Sequence, residues 1–148
     1  LDGVNNLQLL SRLSVSYNAL TDVSLLSANT GLTDLNIANN TLTDISALSS
    51  LMNLQKFDFS SNQIAALPAW GDGAKLETID GSHNALTSLD NLSNMQSLVY
   101  IYMDYNQITN IDSLANCYCL VQVNVFGNSI SDVSALRERD IIVNYDPT

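Results

Sequence analysis

Apolar residues recur along this chain in one fixed frame. Leu10, Leu32, Leu54, Leu76, Leu98 and Leu120 open successive units of 22 residues, and positions 4, 6, 11, 14 and 17 of each unit are nearly always apolar. In the unit that opens at Leu32 these are Leu35, Ile37, Leu42, Ile45 and Leu48. A period of this length marks a supersecondary element that cannot bury its apolar side alone and leans on its neighbours. Positions 4 and 6 alternate with polar residues, which predicts a short strand with one buried face. Position 9 is Asn18, Asn40, Asn62, Asn84, Asn106 and Asn128. A short amide that both donates and accepts can satisfy backbone groups that the turn after the strand would otherwise bury unpaired.

Position 15 is Ser24, Ser46, Asp90, Asp112 and Ser134 in five of the six units. Their placement before the apolar position 17 reads as helix N-caps, so a short helical or 3-10 turn is expected on the outer side of each unit. The third unit departs, with Pro68 at that site and Trp70 in place of leucine, beside Gly71 and Gly73. Proline is tolerated near a helix start, and the indole is expected to fill a wider gap. Core position 6 of the fourth unit is Gly81, flanked by Phe59 and Met103 in the adjacent units. The two large side chains are expected to lean over the glycine, since an empty core site would be costly.

The run L-x-x-L-x-I-x-x-N-x-L-T-D-I-S-x-L from Leu32 to Leu48 resembles the leucine-rich repeat, and the period with T-D-[IV]-S-x-L resembles the internalin class of bacterial surface proteins. Thr21-Asp22-Val23-Ser24 and Thr43-Asp44-Ile45-Ser46 match that segment in full, and Ser131-Asp132-Val133-Ser134 nearly so. The rival is the class of 22-residue repeats in eukaryotic intracellular regulators, which carry acidic and glycine residues after position 14. The resemblance implies an α/β fold: a right-handed leucine-rich repeat solenoid with a parallel β-sheet on the concave face and short 3-10 or helical turns on the convex face. It would be a single domain over 1–148, with a partial repeat at 1–9, units starting at 10, 32, 54, 76, 98 and 120, and a last strand at about 141–145. Leu1, Val4 and Leu7 fit the end of a preceding unit, so a larger surface protein is expected, of which this chain is a fragment.

Charge narrows the partners. Five basic residues stand against 15 acidic ones, a net charge of −10, which leaves no electrostatic footprint for nucleic acid or anionic lipid. No apolar run approaches the ~20 residues that span a bilayer, so no membrane insertion is expected. Cys117 and Cys119 are too close for an unstrained mutual disulfide and read as thiols, Cys117 as a buried apolar substitute. His83 is the one histidine, with no partner set for a hydrolytic triad or a zinc site. Asp22 and Asp44 read as turn hydrogen-bonders, without the loop spacing of a calcium site. No catalytic residue, metal or cofactor is therefore assigned.

In a parallel in-register stack, equivalent positions form ladders across the concave face with rungs about 4.8 Å apart. Position 3 begins Arg12, Asp34, Lys56, an alternation of charge that reads as structural. Position 5 places Asp58 beside Asp80, like charges that Lys56 relieves or that exist for a partner. Positions 3, 5, 7 and 8 of the last units bring Tyr100, Tyr102, Tyr105 and Phe126 near Asp80, Asp104 and His83. Exposed aromatics on a rigid sheet are enriched in binding hot spots. These seven residues and Asp58 are the candidate ligand site; the plainer reading is a sheet edge covered by tyrosines. The ligand class is a protein, or else a glycan, and the fragment itself is expected to be a monomer at an extracellular or bacterial cell-surface location. An intracellular regulator that binds a partner enzyme is the alternative.

Overall fold

The computed structural model describes residues 1–147. Seven three-residue strands follow one another in space as in sequence: β1 (Arg12–Ser14), β2 (Asp34–Asn36), β3 (Lys56–Asp58), β4 (Thr78–Asp80), β5 (Tyr100–Tyr102), β6 (Gln122–Asn124) and β7 (Ile142–Asn144). All neighbours are parallel, and up to β6 they keep the register that the repeat dictates, Arg12 on Asp34, Asp34 on Lys56, Lys56 on Thr78, while β7 sets Ile142 on Gln122 after a shortened unit. Strands this short are not stable alone. They persist because position 4 of each points inward, from Leu35 and Phe57 to Val123, onto one continuous core with positions 1, 6, 11, 14 and 17. The result is a right-handed leucine-rich repeat solenoid: an open parallel sheet on one side and short 3-10 turns, such as Ser24–Ala28, Ser46–Ser50 and Asp112–Asn116, on the other. The sixth unit carries instead one turn of α-helix, α1 (Ser134–Arg137).

The asparagines lock unit to unit. Asn62 Nδ2 donates to the carbonyls of Phe59 and Ser60 in its own turn and to Ile37 of the unit before, while its Oδ1 accepts the N–H of Leu42 in that unit. Asn40, Asn84, Asn106 and Asn128 repeat this set, each with its own equivalents. Asn18, in the first unit, makes only the two bonds within its own turn. The turn itself is strained. Position 8 has positive φ in every unit: Tyr17, Asn39, Ser61, His83 and Tyr105 at 54–56°, and Gly127 at 64°. Left-handed backbone costs a non-glycine residue roughly 1–2 kcal/mol, and the bonds from the neighbouring asparagine hold it there.

Two packing expectations hold. A Cβ built on Gly81 would lie 2.4 Å from Phe59 Cζ and 2.8 Å from Met103 Sδ, so both side chains fill the space over the glycine. Trp70 is buried edge-on to Phe57, with ring centroids 6.1 Å apart, and its Nε1 donates to the Leu48 carbonyl at 3.1 Å. Cys117 is buried as well, its thiol donating to the Leu92 carbonyl, and burial pushes its pKa up. Cys119 is an exposed free thiol.

The outer turns correct the sequence reading twice. Ser24, Ser46, Asp90, Asp112 and Ser134 are the first residues of their helical turns, and no side-chain cap bond is made by the residue before them. The acceptor is position 13: Asp22 Oδ1 takes the Ser24 N–H at 2.7 Å, and Asp44, Ser88, Asn110 and Asp132 do the same in their units. Those bonds hold the carboxyls of Asp22, Asp44 and Asp132 below the ordinary carboxylate range. The third unit has no helical turn at all. Position 13 there is Ala66, with no acceptor, and Pro68 has no N–H to offer it, so both halves of the device are missing.

Two stability predictions result. Asn62→Ala strips the Leu42 N–H of its acceptor, while the Ile37, Phe59 and Ser60 carbonyls keep donors in Asn40, Asn84 and the Asn39 N–H, so it is expected to lower unfolding stability by about 1–3 kcal/mol, against less than about 1 kcal/mol for Asn18→Ala. Urea unfolding of the two variants decides this; equal losses would mean that the bonds between units carry no weight. Gly81→Ala is expected to cost about 1–3 kcal/mol by overpacking. Adding Phe59→Leu should recover part of that loss, a coupling that a double-mutant cycle measures directly.

Candidate functional site

The sheet places one row of side chains per strand position on its solvent face. The position 5 row runs Ser14, Asn36, Asp58, Asp80, Tyr102, Asn124 and Asn144, each beside the next. The row is pinned from below. Asp58 Oδ1 accepts the backbone N–H of Ser60, Asp80 Oδ1 that of Ser82, and Asn36 Oδ1 that of Ala38, each at 3.0 Å. Beyond Tyr102 the row is tied laterally, with Asn144 Nδ2 donating to Asn124 Oδ1 at 2.8 Å. A groove of about 660 Å³ lies over β1 to β5, lined among others by Arg12, Lys56, Asp58, Asp80, Tyr100 and Tyr102. Tyr100 is 40% exposed at its wall, and Tyr102 is half-buried.

Charge along the groove is unevenly matched. Arg12 Nε meets Asp34 Oδ2 at 3.3 Å, so the first two rungs of the position 3 alternation are paired. The third is not: among the described residues Lys56 makes no ion pair, and the adjacent carboxylates of Asp58 and Asp80 go without a cation. The expected relief by Lys56 therefore does not take the form of a contact.

The eight candidate residues separate into two groups. Asp58, Asp80, Tyr100 and Tyr102 line the groove. His83, Asp104, Tyr105 and Phe126 sit past the strand ends, in the left-handed turns and their flanks. There the His83 and Tyr105 rings stack at 4.5 Å with 14° between planes, and the other side of Tyr105 lies on Gly127, where an added Cβ would come within 2.5 Å of Cδ1. Although 57% exposed, Tyr105 therefore has neighbours against its ring on both sides, and offers a partner its edge and hydroxyl. Sequence reasoning had treated all four aromatics alike. The signal it lacked was that position 8 is left-handed, which the absence of β-branched residues at Tyr17, Asn39, Ser61, His83, Tyr105 and Gly127 does announce. Asp146 was also missed; its Oδ2 accepts the Gly127 N–H at 2.7 Å.

Among the described residues no group of His, Cys, Asp and Glu is arranged to hold a metal ion, and no helix is long and apolar enough to cross a membrane. One carboxylate is perturbed upward. Burial raises the pKa of Asp104 above 3.8, the N–H of Phe126 on its Oδ1 at 2.7 Å works against this, and the charges of Asp80 and Asp146 add to the rise. A raised carboxyl binds its proton more tightly folded than unfolded, so stability is lost as pH rises through the folded pKa. Asp104→Asn, which keeps an oxygen for the Phe126 N–H, is expected to raise the unfolding midpoint at about pH 7 and to leave it unchanged near pH 3, where both carboxyl states are protonated. Thermal melts at the two pH values check the sign; a lower midpoint at pH 7 would mean that the charge itself holds the turn.

Two overlapping segments, residues 8–50 and 30–72, match the family described as Leucine Rich repeats (2 copies). None of the curated proteins matches the chain in sequence. Among solved structures, internalin C2 of Listeria monocytogenes str. 4b F2365 is similar at 28% identity and a TM-score of 0.76, over 98% of this chain and 75% of that one. A second internalin of the same organism, inlF, is 24% identical with a TM-score of 0.65, over 99% of this chain and 51% of that one. A leucine-rich repeat protein of Leptospira interrogans is 23% identical with a TM-score of 0.85, over 95% of this chain and 38% of that one. The last two show the fold, and the chain spans about half or less of their length. With the repeated frame and the in-register sheet, these likenesses give the chain the leucine-rich repeat fold and a similarity to internalins.

Proposed function

We propose that the chain is a non-catalytic binding module of a bacterial surface or secreted protein, and that it holds a protein ligand against the concave face of its sheet. The observation that carries this reading is the groove over β1 to β5, in which Tyr100 and Tyr102 stand beside carboxylates whose positions are fixed by backbone N–H groups. A rigid row of oriented side chains binds with little ordering cost, which favours recognition over chemistry. The Ser60 hydroxyl donates to Asp58 Oδ1 at 2.7 Å, a bond that holds the carboxylate in place, and His83 is engaged in a stack outside the groove. The similarity to internalins points to the same role and to the extracellular setting.

Two variants test the site. The purified chain is measured by surface plasmon resonance against a panel of purified host extracellular proteins and a glycan array. A protein analyte is expected to bind, with Tyr100→Ala/Tyr102→Ala weakening it by about tenfold or more, as loss of a hot-spot aromatic does. A ligand indifferent to that pair, yet lost on substitution of the convex Asp22 and Asp44, would move the site to the other side of the solenoid.

A further inference from the structure

Resting on that sheet-face reading, we propose that the groove recognises a cationic side chain, arginine or lysine, on an extended segment of its protein partner, and that Asp58, Asp80 and Tyr102 form the subsite. These three are consecutive rungs of one row, Asp58 beside Asp80 and Asp80 beside Tyr102. Rungs about 4.8 Å apart allow one guanidinium or ammonium group to contact both carboxylates at once. Their orientation is preset. The Ser60 N–H and hydroxyl hold Oδ1 of Asp58, the Ser82 N–H holds Oδ1 of Asp80, and among the described residues no protein donor occupies Oδ2 of either. Tyr102 is the next rung along, and Tyr100 stands on the same strand, so an aromatic face lies beside the point where the cation would sit.

Adjacent like charges are destabilising in a sheet. This chain keeps two of them where its own Lys56, on the same strand as Asp58, forms no ion pair with either. The compensation that the fold does not supply is charge complementarity from outside. The net charge of −10 adds long-range attraction for a basic partner. The groove, about 660 Å³, accommodates several side chains of an extended segment. At its far end Arg12 is paired with Asp34.

The probe is hexa-arginine, titrated into the isotope-labelled chain and followed by amide shifts, with hexa-glutamate as control. Saturable shifts are expected around Asp58, Asp80 and Tyr102. Asp58→Asn/Asp80→Asn should weaken binding by about tenfold or more. That change keeps the acceptor for the turn N–H, as Asn36 does natively for Ala38. Asp22→Asn/Asp44→Asn removes the same charge from the convex side, where Asn110 is the native precedent, and should leave binding within about twofold. Equal weakening by both pairs, or shifts spread along the convex row, would reduce the effect to net charge and overturn the proposal. The sheet-face reading fails separately. A partner lost with Tyr100→Ala/Tyr102→Ala but indifferent to Asp58→Asn/Asp80→Asn and to hexa-arginine competition, or a glycan in its place, overturns the cationic subsite alone.

Discussion

The asparagine at position 9 is the interaction on which the rest depends. Each turn after a strand must bend sharply enough to put a residue in left-handed backbone, and it does so with Tyr, Asn, Ser and His as well as glycine. The bend would leave carbonyls of positions 6 and 7 pointing into the stack. One amide collects them, and its oxygen takes the N–H at position 11 of the unit before, as Asn106 does for Leu86 and Asn128 for Ile108. Two of the four bonds of Asn106 cross to the unit before, so the turn of one repeat is complete only when the next is in place. Burial makes the arrangement strict, since an unpaired polar group inside a low-dielectric stack is costly. Asn40 and Asn106 are both buried.

That coupling explains why so much of the fold was legible. A pattern enforced by nearest-neighbour bonds cannot drift, so six asparagines in one register announce strands, turns and sheet order together. Volume was legible for the same reason: Gly81 between Phe59 and Met103 is a size complement across three rungs, and the contact distances show that the two side chains do close over it. The outer turns were less legible because a short polar residue can cap from either of two nearby sites. Ser24 and Asp22 are both good acceptors, and only the backbone decides that the Asp22 carboxylate faces the Ser24 N–H. In the third unit, the sequence did hold the answer, in the joint loss of acceptor at Ala66 and donor at Pro68, once position 13 rather than 15 is known to cap.

The candidate site was legible as a row but not as a shape. Equal spacing in sequence put Tyr100, Tyr102, Tyr105 and Phe126 near one another, whereas their roles depend on whether the backbone beneath is strand or left-handed turn. On β5 a tyrosine stands out over the groove. In the turn, the same residue type is laid against its neighbours, with His83 on one side and the Gly127 backbone on the other. Tyr105 is thus better understood as part of the stack's edge, and Gly127 as the residue whose missing side chain makes room for it.

Separation of fold from surface follows from the same geometry. Core positions and the asparagine column are constrained by the units on either side, while the solvent-facing rungs of β1 to β5 are constrained by almost nothing beyond strand compatibility. Asn36, Asp58 and Asp80 show how far this goes: all three give one side-chain oxygen to the N–H two residues on, while the charge displayed above it differs. Changing an amide to a carboxylate alters what the groove attracts without altering how the turn is held. A solenoid built this way presents oriented side chains whose order is already supplied by the stack, so binding need not freeze them. The chemistry of recognition can then vary rung by rung on a backbone that does not.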